Sequence, residues 1–187
     1  RCYDAAIWMI ALKGGATARP WLRAWVKGTV SRPILDWVAI DRWEAARILL
    51  ACIDIVTDRP LRRRGSKTEP QRAGMPMNVT NPDGAQRLAD KDVTAVVLLT
   101  DEISELVGSA AGPTMTGKKD GFTSAALAGL MTRFSCLAAG EAIYGIFAGQ
   151  RSTADMFGAP TAQINIGLKI AVGQMNRQDA GMVFNNS

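Results

Sequence analysis

The residues that can do acid–base chemistry in this chain are carboxylates, because the 187-residue sequence contains no histidine. Histidine is the usual general base near neutral pH and the commonest transition-metal ligand. Its absence excludes ordinary serine and cysteine triads within this sequence. The candidate bases are Asp41, Glu44 and Glu141, and arginines can hold an anionic substrate beside them. Nothing in the spacing fixes two carboxylates at a useful separation, so an enzyme acting on an anionic or nucleotide-containing substrate is the alternative function.

The cysteines Cys2, Cys52 and Cys136 predict neither a redox pair nor a zinc site, since no C-x-x-C motif is present. Cys52 and Cys136 lie in apolar runs, where free cysteine is normally buried. The odd, scattered set favours a reducing compartment, so an intracellular or virion location is expected. No cofactor, no metal site and no signal peptide are predicted.

Positive charge is concentrated in the first part of the chain. Residues 1–72 hold 14 basic and 7 acidic residues, a net charge of +7, whereas residues 73–187 hold 8 and 10, a net charge of −2. Such an asymmetry is expected when one surface faces a polyanion. Arginine outnumbers lysine by 15 to 7, and its planar fork suits phosphate groups. The chain is therefore predicted to bind the phosphates of a nucleic acid, with RNA favoured.

The predicted phosphate contacts fall into three groups. They are Arg59, Arg62, Arg63, Arg64, Lys67 and Arg72 in a proline-rich segment, Arg19, Arg23 and Lys27 on a short helix, and Lys118 and Lys119 in a later loop. The loop is not a P-loop, because the sequence lacks the G-x-x-x-x-G-K-[ST] pattern. On the short helix, Trp21 and Trp25 either stack on bases or belong to the core.

The apolar periodicity predicts an all-α fold, a compact multi-helix domain with an apolar-tipped C-terminal tail. Helices are predicted at residues 3–12, 20–28, 41–55, 90–106 and 124–150. The third begins with a capping box of Asp41 and Glu44. The fourth carries Asp101, Glu102 and Glu105 on its solvent side.

The most apolar stretch, residues 125–149, is long enough to span a membrane, but Arg133 and Glu141 interrupt it. A buried helix without a membrane span is therefore predicted. Because this stretch is rich in glycine and alanine, the helix is either held by packing or broken near Gly140.

The sequence predicts three parts that form one continuous domain. Residues 1–56 are a basic helical part, residues 57–84 a proline- and glycine-rich basic arm in which no helix is expected, and residues 85–187 a helical part rich in small residues. The apolar end of the tail, at Met182, Val183 and Phe184, is the predicted contact in a homo-oligomer.

Together these features favour a non-enzymatic, self-assembling helical protein that coats nucleic acid without strong sequence preference, as the core of a viral nucleocapsid or coat protein does. The enzyme described above is one alternative. The other is a helical adaptor or effector module that binds a partner through its apolar tail.

Overall fold

The computed structural model describes residues 5–65, 94–107, 123–138, 142–149, 166–170 and 181, without the side chains of residues 59–65. The predicted contacts Lys67, Arg72, Lys118, Lys119, Met182, Val183 and Phe184 lie outside these residues. The apolar-tipped tail and the capacity for self-association therefore stay predictions.

A parallel β-sheet forms the centre of the described residues. Its four strands follow the order β2-β1-β3-β4, and each neighbouring pair is parallel. The strands are β1 at Ala5–Ile10, β2 at Trp37–Ala39, β3 at Ala95–Thr100 and β4 at Ile143–Phe147.

Helices connect these strands, as a parallel sheet requires. They are α1 at Arg19–Val26, α2 at Arg42–Gly65, α3 at Ile103–Val107 and α4 at Ser124–Leu137. None of the helices in the described part of the chain is long and apolar enough to cross a membrane.

The fold is α/β, so the predicted all-α fold is wrong. Residues 5–10 and 95–100 form strands where helices were predicted. The reason is that a parallel strand covered on both faces carries apolar side chains toward both faces. Its sequence is then a continuous apolar run, without the alternation of apolar and polar residues that identifies a strand. The tail of the predicted helix 124–150 is likewise strand β4, and α4 ends before Gly140, which agrees with the alternative of a break there.

Both faces of the sheet are covered. Ile10 and Leu98 belong to the larger buried cluster, which α2, α3 and α4 complete on one face. Met9 lies in a smaller cluster on the other face, against Leu22 of α1. Successive residues of a strand point to opposite faces, so β1 supplies both clusters and is anchored from both sides.

Helix α2 begins as predicted and ends later than predicted. The Asp41 carboxylate accepts a hydrogen bond of 2.8 Å from the backbone N–H of Glu44, which is the first half of a capping box. The helix then continues through Pro60 to Gly65, into the segment predicted to be a non-helical arm. Because a proline removes a single N–H donor, it weakens one turn but need not end a helix that is held by buried residues upstream.

The strand order creates a switch point between β1 and β3. The chain leaves β1 to one side to form β2, and returns across β1 to form β3 on its other side. Open parallel sheets with this order bind ligands in the crevice outside the carboxyl ends of the two strands that flank the switch point. The residues that follow Ile10 and Thr100 therefore lie where sheets with this strand order bind ligands.

Candidate functional site at the carboxyl edge of the sheet

The carboxyl ends of the strands meet at one edge through backbone hydrogen bonds. The Asp101 N–H donates to the Ile10 carbonyl at 3.1 Å, and the Ala148 N–H donates to the Thr100 carbonyl at 2.9 Å. The Ile103 N–H then donates to the Ala148 carbonyl at 2.9 Å. The turn after β3 is thus fixed to both neighbouring strands.

Two adjacent carboxylates, Asp101 and Glu102, occupy this turn. Asp101 is half-buried, and Glu102 is only 7% exposed. The Ser104 hydroxyl donates a 2.7 Å hydrogen bond to Glu102 Oε1, and the Lys13 Nζ lies 3.7 Å from Glu102 Oε2. A buried carboxylate is tolerated when it is paired and hydrogen-bonded in this way. The prediction that Glu102 lies on the solvent side of a helix is therefore wrong.

A glycine turn positions Lys13 after the end of β1, across from Glu102. Gly14 and Gly15 directly follow it with φ values of +62° and +71°, a region that favours glycine. A Cβ at Gly15 would meet Ile40 Cγ2 at 2.9 Å, so the backbone also passes close to the residue after β2. This turn brings the chain back toward the sheet while Lys13 remains at its edge.

The oxygen donors at this edge fit a magnesium ion that takes its remaining ligands from phosphate and water. Mg²⁺ is usually bound by one or two carboxylates together with substrate phosphates and water. Half-buried Asp101 can supply one such carboxylate, with Glu102 beside it, while no group of three or more potential metal ligands occurs in the described residues. The buried Thr100 hydroxyl next to them has no hydrogen-bond partner in the described part of the chain.

The carboxylates predicted from the sequence do not form this site. Asp41 caps α2. Glu44 accepts hydrogen bonds from Trp37 Nε1 at 3.0 Å and from Arg47 at 2.7 Å, so it has a structural role. The Arg47 guanidinium lies over the Trp37 ring, 5.5 Å from its centroid. Glu141 is outside the described residues.

Trp37 also contacts Trp8, its partner in the register of the two strands. The ring centroids are 5.3 Å apart, and the ring planes meet at 70° in an edge-to-face arrangement. This contact, together with the bonds to Glu44, fastens the three-residue edge strand β2 to β1 and α2.

Helix α1 exposes both tryptophans and also the basic stripe, the three residues Arg19, Arg23 and Lys27 that recur every four positions. Trp21 is 51% and Trp25 45% exposed, so they are not core residues as the alternative interpretation required. Arg19, Arg23 and Lys27 are exposed as well. At 100° per residue, however, this stripe lies on the flank of the helix opposite the two tryptophans. One nucleic-acid strand would therefore not contact both sets side by side.

The remaining predicted contacts and cysteines have mixed outcomes. Helix α2 includes four of the predicted contacts, Arg59, Arg62, Arg63 and Arg64, but the structure describes only their backbone. Cys52 is buried as predicted, whereas Cys136 is exposed.

Sequence reasoning missed the pair at the end of β3. The signal was present: Ala95–Thr100 is a short apolar run with two valines, and two acidic residues follow it at once. A run of six residues is the length of a strand, and an acidic pair after a buried parallel strand lies at the edge where ligands bind.

No protein-family model matches the chain, and no curated protein matches it. Among solved structures, the chain is similar to the pCW3 conjugation coupling protein TcpA in its monomer form with ATPγS, with a TM-score of 0.66 and 16% sequence identity. The match covers 97% of this chain and 44% of that one, so the chain spans less than half the length of its structural neighbour.

This similarity shows the fold, and it overturns the favoured function. A parallel α/β sheet like that of a conjugation coupling protein is not the fold expected of a non-enzymatic helical packaging protein. The nucleocapsid or coat-protein interpretation is therefore wrong, and the findings agree better with the alternative of an enzyme with a nucleotide-containing substrate.

Proposed function

We propose that this chain is part of an enzyme that uses a nucleoside triphosphate. In this proposal the chain supplies the carboxylates that lie next to the metal ion in the nucleotide site. The observation that carries the proposal is the carboxylate pair Asp101–Glu102, fixed at the end of a buried parallel strand beside the switch point. The structural neighbour in which ATPγS is present supports it. The earlier expectation that the chain is not an enzyme is replaced here by this proposal.

The two carboxylates have different roles in the proposal. In P-loop NTPases a Walker-B aspartate helps to hold Mg²⁺, and a further residue orients the attacking water. Half-buried Asp101 is suited to the first role. Glu102, whose carboxylate is fixed by Ser104, is suited to the second. When bound, Mg²⁺ would neutralise charge that develops on the phosphate oxygens.

The phosphate-cradling loop is not supplied by a motif in this sequence, since G-x-x-x-x-G-K-[ST] is absent. Binding is therefore proposed to rest on the residues at the carboxyl edge of the sheet and is expected to be weak. For that reason binding, not turnover, is the appropriate measurement for the 187-residue chain.

Calorimetric titration of the chain with ATPγS, with Mg²⁺ and with EDTA, tests the proposal. We expect saturable binding in the millimolar range that Mg²⁺ strengthens. Asp101→Asn should weaken it by about tenfold, which corresponds to about 1.4 kcal/mol. Asp54→Asn is the matched control, because it removes the same charge from an exposed position three turns along α2.

Two outcomes would contradict the proposal. One is no Mg²⁺-dependent binding of ATPγS by the wild-type chain at millimolar concentration. The other is an Asp101→Asn variant that binds as tightly as the wild type while Asp54→Asn behaves normally.

We also propose that the basic stripe of α1, Arg19, Arg23 and Lys27, contacts nucleic-acid phosphates. Residues 5–35 contain five basic and no acidic residues, so no carboxylate of that segment competes with a polyanion. Exposed cations supply affinity by releasing counterions, without reading the sequence. RNA and DNA oligonucleotides of the same sequence, titrated at two salt concentrations, test the proposal and the expected preference for RNA.

A further inference from the structure

An ion pair links the segments that follow β1 and β3, the two strands that flank the switch point. Lys13 lies three residues after β1, Glu102 lies two residues after β3, and the Nζ–Oε2 distance between them is 3.7 Å. These two strands are neighbours in the sheet. Because ligands of such sheets enter between the ends of these strands, an anion that arrives there meets the lysine and the glutamate together.

The two members of the pair are held to different degrees. Glu102 is 7% exposed, and the Ser104 hydroxyl fixes its carboxylate at 2.7 Å. Lys13 is 43% exposed, and its contact with Glu102 is longer than a hydrogen bond. A lysine side chain is a flexible four-carbon stem that ends in a point charge. Lys13 is therefore the member that can change partners.

We propose that Lys13 pairs with Glu102 in the nucleotide-free chain and turns to the phosphates when a triphosphate binds. This inference rests on the proposed function. A triphosphate offers several anionic oxygens, and charge-assisted hydrogen bonds to them are stronger than a long contact to one carboxylate. Lys13 is thus a phosphate ligand that pairs with Glu102 only while no nucleotide is bound.

The exchange has a consequence for Glu102. Once Lys13 has turned to the phosphates, the carboxylate keeps its hydrogen bond from Ser104 and gives up its contact with the Lys13 ammonium group. Glu102 Oε2 can then accept a hydrogen bond from water in place of that contact. The water-orienting group would be available only when the triphosphate is in place.

Opposite effects of two variants separate this exchange from a merely structural ion pair. The probe is inorganic tripolyphosphate in EDTA, which reports the anion contact without metal. Lys13→Met should weaken its binding by about tenfold, and Lys13→Arg should restore most of it. Glu102→Gln should tighten it, because the carboxylate no longer competes for the ammonium group. If Lys13→Met and Glu102→Gln both weaken binding, the proposal is overturned.

Acetylation of lysine amines, followed by mass spectrometry, gives a second measurement on the same chain. Mg²⁺ with ATPγS should protect Lys13, and Lys169, which belongs to neither proposed site, is the control in the same digest. Without nucleotide, Glu102→Gln should increase labelling of Lys13. Binding of ATPγS without protection of Lys13 overturns this inference alone, whereas failure of the wild type to bind ATPγS overturns the proposed function as well.

Discussion

Individual residues at the carboxyl edge are fixed by backbone geometry as much as by side-chain contacts. The turn after β1 is held by the Gly15 N–H, which donates to the Ala11 carbonyl at 2.9 Å. Gly14 and Gly15 both have positive φ, yet only Gly15 lies against another side chain. This difference offers a direct comparison of conformational strain with steric strain at neighbouring positions.

Gly15→Ala should destabilise the protein more than Gly14→Ala does. A positive φ costs an L-residue about 1–2 kcal/mol, and Gly14→Ala, with nothing within 4 Å of the new Cβ, should lose only that. Gly15→Ala adds a contact of 2.9 Å with Ile40, so we expect about 1 kcal/mol more. Urea unfolding measures both losses. Equal losses would show that Ile40 moves aside without penalty.

The residues of the site were only partly predictable. Asp41 was correctly predicted as a cap, because the S/T/D-x-x-E pattern has a local physical basis. Glu102 was not, since its burial depends on Lys13, which is 89 positions away in the sequence, and on Ser104. A local sequence pattern cannot predict a contact between residues so far apart. Only the assignment of residues 95–100 to a strand could have revealed it.

At the scale of elements, the helices were more predictable than the strands. Helix α1 was marked by Pro20 in its first turn and α2 by Asp41, and both start close to where they were predicted. Strands β1 and β3 lack such terminal signals, and their apolar runs resemble segments of buried helices. Capping chemistry is therefore the part of the fold that the sequence reveals most directly.

Thr123→Ala should destabilise α4 through loss of its cap. The Thr123 hydroxyl accepts a hydrogen bond of 3.1 Å from the Ala126 N–H at the start of this helix. Removing such a cap typically costs about 1 kcal/mol. Urea unfolding should therefore show a lower midpoint with an unchanged slope. Thr123→Ser keeps the hydroxyl and should retain most of the stability, and an equal loss in both variants would mean that the methyl group matters instead.

At the scale of the whole molecule, the charge asymmetry still supports an expectation about partners, although the all-α fold predicted from the same sequence was wrong. Charge is counted directly from the sequence, whereas the order of strands depends on pairings between residues about 90 positions apart, such as Ala5 with Ala95. A basic first part is compatible with a helical bundle or an α/β sheet. Net charge bears on partners and solubility, not on fold.

Replacing Arg19, Arg23 and Lys27 together with glutamine should weaken oligonucleotide binding at low salt for all sequences alike. If each cation contacts one phosphate, the slope of log K against log salt should flatten by about 2 for a single strand. Filter binding at several salt concentrations measures it. Arg133→Gln, an exposed change on α4, is the control for charge alone and is compared with Arg23→Gln. An unchanged slope in the triple variant would place the phosphate contacts elsewhere.

The edge-to-face pair of Trp8 and Trp37 gives this protein an intrinsic optical signal. Two indoles with centroids 5.3 Å apart are close enough for their electronic transitions to couple, so they should contribute a paired band to the circular dichroism spectrum. That band depends on β2 staying in register with β1. Its loss during heating, followed beside the helical signal, would reveal whether this short edge strand detaches before the rest of the sheet unfolds.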